Sequence, residues 1–108
     1  MAENYFQIDK EDHICTITIN RPNQRNAFNK EMWNNLNEIM TNLQYDSQVR
    51  VAIITGSGNT FSAGADLAEF LKSSAGGSVT AGRDYPVEHC LDSILNYPNP
   101  VIAMVNGY

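Results

Sequence analysis

The stretch VAIITGSGNTFSAGADL, residues 51–67, decides how this chain is to be read. It opens on VAIIT, a continuous apolar run of strand length, and such runs suit strands covered on both faces by helices. Three glycines and several small residues follow before Asp66, after which Leu67, Phe70 and Leu71 stand at helical spacing. An acidic residue is favourable at a helix start, so the segment from Asp66 to about Lys72 is expected to be a short helix. Between strand and helix lies GSGNTFSAG, 56–64, a corner with a bare backbone. It can be a tight connection, a phosphate cradle, or a place where backbone amides face a ligand.

Upstream, YFQID (5–9) and ICTITIN (14–20) are β-like runs separated by the polar turn KEDH. Cys15, Ile17 and Ile19 alternate with Thr16 and Thr18, the pattern of a half-buried strand, and the pair is expected to form a hairpin. NRPNQRNAFN, 20–29, carries Pro22 and four asparagines without periodicity and reads as a loop. Asn29 stands where an N-cap belongs. Beyond it Met32, Trp33, Leu36, Ile39, Met40 and Leu43 form one helical stripe from Lys30 to about Gln44.

Downstream, SSAGGSVTAG, 73–82, is small and polar and is expected to be a mobile loop. Pro86 suits the first turn of a further helix whose stripe is Val87, Cys90, Leu91, Ile94 and Leu95. PNP, 98–100, ends that helix, and VIAMV, 101–105, is another buried-type strand. The order predicts an α/β domain with parallel pairing of VAIIT and VIAMV through a helical crossover.

The chain's 108 residues allow at most one domain, and its 43% hydrophobic content is that of a globular chain. No apolar run approaches the roughly 20 residues needed to cross a membrane, so no membrane partner is expected. A net charge of -5 with scattered basic residues argues against nucleic acid, while leaving room for a small anionic ligand met by a few local cations. Cys15 and Cys90 lie far apart without metal-ligand or secretory signals, which points to a reducing, cytoplasmic setting, mitochondrial or peroxisomal sites being compatible; no metal is expected.

Of the three readings the phosphate cradle is weak, and a nucleophilic site fares no better. Phe61 stands where a third glycine of the dinucleotide fingerprint belongs, and no Gly-Lys-Ser/Thr follows. Ser62 lacks a nucleophile-elbow context, and neither His13 nor His89 is tied to it by a sequence cue. Asp66 and Glu69 are one turn apart, as acid–base pairs can be, and are equally a helix N-terminus with acidic residues in its first turn. Free amides at a strand-to-helix corner can stabilise an oxyanion, and small residues at 63–65 would admit a ligand close to the chain. Physics alone leaves this reading and a simple tight turn both open.

INRPNQRNAFN, VAIITGSGNTFSAGADL and NPVIAMVNGY, in this order and spacing, resemble the crotonase family of acyl-coenzyme A enzymes, the enoyl-CoA hydratase/isomerase family. The resemblance runs from about Ile14 to Tyr108 and corresponds to a little under half of a full-length member. It implies the N-terminal portion of a single crotonase-like domain (1–108), part of a spiral of ββα units of the ClpP/crotonase type. It also implies an acyl-CoA or enoyl-CoA thioester as substrate, with coenzyme A as part of that substrate and no tightly bound cofactor. The parent protein would be a homotrimer or hexamer.

The resemblance places one oxyanion-hole amide at Ala65, the residue before the aspartate of SAGADL. Ala63, Gly64, Asp66 and Leu67 would line the coenzyme A bend with it, and Arg25, Asn26 and Ala27 match the loop that meets the coenzyme's phosphates and pantetheine. Lys72 is a further candidate cation, and Arg21 is open between ligand and structural roles. The family's second oxyanion amide and its catalytic glutamates correspond to positions beyond Tyr108, so the chain itself is expected to be inactive alone, as an enzyme fragment or an acyl-CoA-binding or interaction module. ADLAEFLKSSAGGSV and ILNYPNP are similar to the Δ3,Δ2-enoyl-CoA isomerase branch.

Overall fold

The computed structural model describes residues 4–64 and 85–107. Strands β1 (Phe6–Glu11) and β2 (Ile14–Ile19) form the expected antiparallel hairpin. The turn is tighter than KEDH suggests: Lys10 and Glu11 remain in β1, and Asp12 (φ 53°) and His13 (φ 67°) make the bend. Positive φ at both central residues is what a two-residue hairpin connection requires to match strand twist. A 3-10 turn, Pro22–Gln24, then leads through Arg25 and Asn26 to α1 (Lys30–Leu43).

Helix α1 starts where the sequence says it should. The Asn29 side chain accepts a hydrogen bond from the Met32 amide at 2.8 Å, satisfying one of the free donors of the first turn. Its buried stripe is Met32, Leu36, Met40 and Leu43, with Trp33 and Ile39 packed at the margin. Each fully buried side chain of this size stabilises the fold by roughly 1.5–3 kcal/mol relative to exposure, so the stripe anchors the helix.

Strand β3 (Val51–Gly56) returns parallel to β2, and β4 (Val101–Met104) pairs parallel to β3 after helix α2 (Tyr85–Leu95). The sheet order is β1-β2-β3-β4. Register places Cys15, Ile17 and Ile19 beside Ala52, Ile54 and Gly56 on one face. That face, the α1 stripe, Cys90 of α2, Phe6, Phe28 and Tyr97 share one core. Phe28 links the loop after β2 to that core through ring contacts with Phe6 at 5.8 Å and Trp33 at 4.4 Å. Both cysteines are buried and free.

Three expectations change. Val51 and Ile53 of β3, read as covered on both faces, are only half-buried, because the helices described here occupy the opposite face. In α2, Cys90 is buried and Ile94 packs on the core, but Leu91 and Leu95 are exposed, so the apolar stripe is broader than its contact with the described residues. Strand β4, read as a buried type, leaves Ile102 and Met104 about half exposed, because the register sets them beside Ile53 and Thr55 on the face away from the helices. The expected helix after Asp66 and the loop at 73–82 fall outside the described residues.

Candidate functional site at the strand-to-loop corner

At the end of β3 the chain turns sharply on Gly56, where a Cβ would collide with the Thr60 and Phe61 carbonyl oxygens. Only glycine lets the corner fold back onto its own strand. The segment that follows, up to Gly64, has no ladder of its own, so its polar groups must find partners elsewhere. They find them in the loop after β2.

Ala63 N–H donates to the Arg25 carbonyl at 3.0 Å, and Phe28 N–H donates to the Gly64 carbonyl at 2.7 Å. Ser62 Oγ donates to the Asn26 carbonyl at 2.8 Å and accepts from the Gly64 amide at 3.0 Å. Residues 25–28 and 62–64, distant in sequence, thus form one continuous backbone surface. Arg25 (φ 53°) and Asn26 (φ 57°) both take left-handed backbone, a costly conformation for a residue with Cβ that these contacts and the Asn26 N–H to Arg21 carbonyl bond (2.8 Å) hold in place.

Each sequence-derived site residue within the described chain has a defined setting. Arg25 is exposed, as are Ala63 and Gly64; Ala27 is half-buried. Asn26 is completely buried. Its Oδ1 accepts from the Arg21 amide at 2.8 Å, and its Nδ2 donates to the carbonyls of Thr60 at 2.7 Å and Ser57 at 3.1 Å. Both Asn26 N–H donors are therefore committed internally. Arg21 has a structural contact, its Nη1 donating to the Ala27 carbonyl at 3.0 Å. Ala65, Asp66, Leu67 and Lys72 lie outside the described residues.

One contributor is not among the sequence-derived site residues. Asn106, just past β4, reaches back to the corner: its Nδ2 donates to the carbonyls of Gly56 and Gly58, each at 2.9 Å. A single asparagine after a strand has no distinctive spacing, so only topology reveals it. The functional groups gathered here are main-chain amides and carbonyls with one exposed guanidinium at Arg25. Among the described residues no cluster of His, Cys, Asp or Glu is arranged to hold a metal ion, and no helix is long and apolar enough to cross a membrane.

Titration is perturbed away from the corner. Burial raises the Cys15 thiol above its ordinary value and pushes Cys90 up to about 11. The Lys10–Asp46 pair (2.8 Å) raises the lysine and lowers the carboxylate through their hydrogen bond.

A mixed sheet with β-α-β connections, its third strand ending in a corner tied to the loop after β2, defines an α/β protein. The family profile described as enoyl-CoA hydratase/isomerase matches residues 9–108, and the chain belongs to that family, the crotonase family. YngF of Bacillus subtilis, an enoyl-CoA hydratase/isomerase by name, is 37% identical over 99% of this chain and 41% of its own length. Human enoyl-CoA delta isomerase 2 is 30% identical over 93% of this chain and 26% of its own length. A crystal structure of an enoyl-CoA hydratase/carnithine racemase from Magnetospirillum magneticum superposes with a TM-score of 0.88 at 34% identity, covering 98% of this chain and 40% of that one. The fold is thus the crotonase fold, and this chain spans about a quarter to two fifths of the length of these relatives.

Proposed function

We propose that this chain binds the acyl thioester of coenzyme A at the corner, where the Ala65 amide polarises the thioester carbonyl and stabilises the enolate that forms from it. The observation that carries this reading is the joining of residues 25–28 to 62–64 through two main-chain hydrogen bonds and the Ser62 hydroxyl. It assembles the two segments that family resemblance assigns to coenzyme A into one exposed surface. Arg25 supplies a cation for the coenzyme's phosphates in a chain of net charge -5. Ala63 and Gly64 present exposed, nearly featureless backbone to the pantetheine arm, and the amide of residue 65 is the next in line.

Negative charge builds on the thioester oxygen as a proton leaves the neighbouring carbon. An amide already aimed at that oxygen stabilises the charged state more than the ground state, which is how such a donor accelerates the reaction. Hydratase and isomerase names both occur among the relatives, and carbonyl polarisation is the step common to both chemistries. The match to a delta isomerase favours double-bond migration as the second reading for the parent protein. Acid–base groups would come from outside residues 1–108, and a homotrimer or hexamer is the assembly proposed for that parent.

The test is a melting series of the 108-residue chain with acyl-CoA. A ligand at about 100 times its dissociation constant stabilises the folded chain by about 2.7 kcal/mol, a clear rise in Tm. Free coenzyme A should give part of that rise. A flat Tm at millimolar acyl-CoA would overturn the assignment.

A further inference from the structure

Past the end of β4 stands the pair Asn106-Gly107, and of the chain's 13 asparagines Asn106 is the one followed by glycine. A glycine carries no Cβ to hinder its own amide nitrogen from closing on the side-chain carbonyl carbon of the residue before it. The fold requires both halves of this pair. Asn106 Nδ2 donates to the Gly56 and Gly58 carbonyls, each at 2.9 Å, while Oδ1 accepts from the Gly56 amide at 3.3 Å. Asparagine is the shortest side chain that offers two donors and an acceptor together. Gly107 has φ 77°, and a Cβ there would strike the Asn59 carbonyl oxygen, so the next position takes glycine.

The contacts that demand the pair also hold it unreactive. With both N–H donors and Oδ1 engaged on the corner, the side-chain amide is turned to Gly56 and Gly58 and is not free to rotate toward the Gly107 nitrogen. Thr55 Oγ1 donates to the Met104 carbonyl at 2.9 Å and lies 3.3 Å from Asn106 Oδ1, fastening the same end of β4 to β3. Asn106 is half-buried and Gly107 exposed, so solvent reaches the pair once the end of β4 lifts. Asn26, which holds the corner from the other side, is fully buried and precedes Ala27, whose Cβ hinders the same attack.

We propose that Asn106 is a self-modification site gated by the end of β4. When the strand end opens, the Gly107 nitrogen loses its proton to solvent and bonds to Asn106 Cγ. The Cγ–Nδ2 bond breaks, and the nitrogen takes up a proton and leaves as ammonia. The cyclic imide that remains adds a water molecule at either of its carbonyls and opens to aspartate or to isoaspartate. The product sets a carboxylate against the Gly56 and Gly58 carbonyls where two donors stood, so β4 cannot close on the corner as before. Opening is thereby recorded irreversibly, whether or not the chain binds a thioester.

The test incubates the 108-residue chain at mildly alkaline pH in buffer and in denaturing guanidinium, with conversion at each asparagine followed by peptide mass mapping. In guanidinium Asn106 should convert before the other asparagines, and Gly107→Ala should suppress that conversion under conditions where the fold has no influence. In buffer the rate at Asn106 should fall about thirtyfold, the population factor of two net hydrogen bonds that must open first. Thr55→Val should restore part of the rate. The purified converted chain should unfold at a lower denaturant concentration than the unconverted one, read by Trp33 fluorescence. Equal rates in buffer and guanidinium, earlier conversion at another asparagine, or an unchanged unfolding midpoint after conversion would overturn the proposal.

Discussion

Replacing Asn26 by aspartate tests the corner most severely for the smallest change in shape. The parent side chain is fully buried and makes hydrogen bonds of 2.8 Å to the Arg21 amide, 3.1 Å to the Ser57 carbonyl and 2.7 Å to the Thr60 carbonyl. Aspartate keeps the first and loses the other two, worth about 1 kcal/mol each. It also sets a carboxylate oxygen against two carbonyl oxygens in a buried setting. Leaving those groups unsatisfied brings the expected loss to about 3 kcal/mol at neutral pH, against roughly 5–15 kcal/mol for the whole stability of a domain this size. Burial disfavours the charged form, so the new carboxyl's folded-state pKa rises above its unfolded value near 3.9. The sign follows: the variant is nearest the parent below about pH 4, where a protonated carboxyl can again donate, and loses stability relative to it as pH rises through the folded pKa. Denaturant titration read by Trp33, the single tryptophan and a ring neighbour of Phe28, measures the difference at pH 4 and pH 7. A loss below about 1 kcal/mol at pH 7, or no pH dependence of the difference, would refute the reasoning.

Removing the cap with Asn29→Ala should cost about 1 kcal/mol and lower Tm without changing ligand affinity, as checked by thermal melts with and without acyl-CoA. The Cys90 thiol, pushed up to about 11, should resist iodoacetamide in the folded chain and react once the chain is unfolded. Because its folded pKa is raised, the stability it contributes is complete below its ordinary value of 9.0 and is lost as pH rises toward 11, with a slope of at most about 1.4 kcal/mol per pH unit. Tyr97 Oη is buried without a hydrogen-bond partner among the described residues, so Tyr97→Phe should leave Tm unchanged or raise it, a result calorimetry can read directly.

What the sequence made legible was local. Alternation at Cys15, Ile17 and Ile19 marked the inward face of β2, and the Met32–Leu43 stripe with Asn29 before it marked α1, because side-chain period and capping chemistry are properties of neighbouring residues. Coverage was not legible: VIAMV reads as a strand, but whether anything lies over Ile102 and Met104 depends on elements far away in sequence. The same holds for Leu91 and Leu95, which share a helical stripe with Cys90 yet miss the core it enters. At the site, residues 25–27 and 63–64 were reached through family resemblance, whereas the burial of Asn26 had no sequence signal, since a loop asparagine is ordinarily exposed. Asn106 became meaningful only when parallel pairing of β3 and β4 set it beside Gly56 and Gly58.

The central proposal is that the Ala65 amide polarises a thioester carbonyl. Carbon-13 spectroscopy of a carbonyl-labelled acyl-CoA at saturating concentrations of the 108-residue chain measures that polarisation at the atom concerned. The account predicts a downfield displacement of the bound carbonyl relative to free ligand, accompanied by amide shifts at Arg25–Ala27 and Ala63–Leu67. A bound carbonyl resonating where the free one does would contradict it.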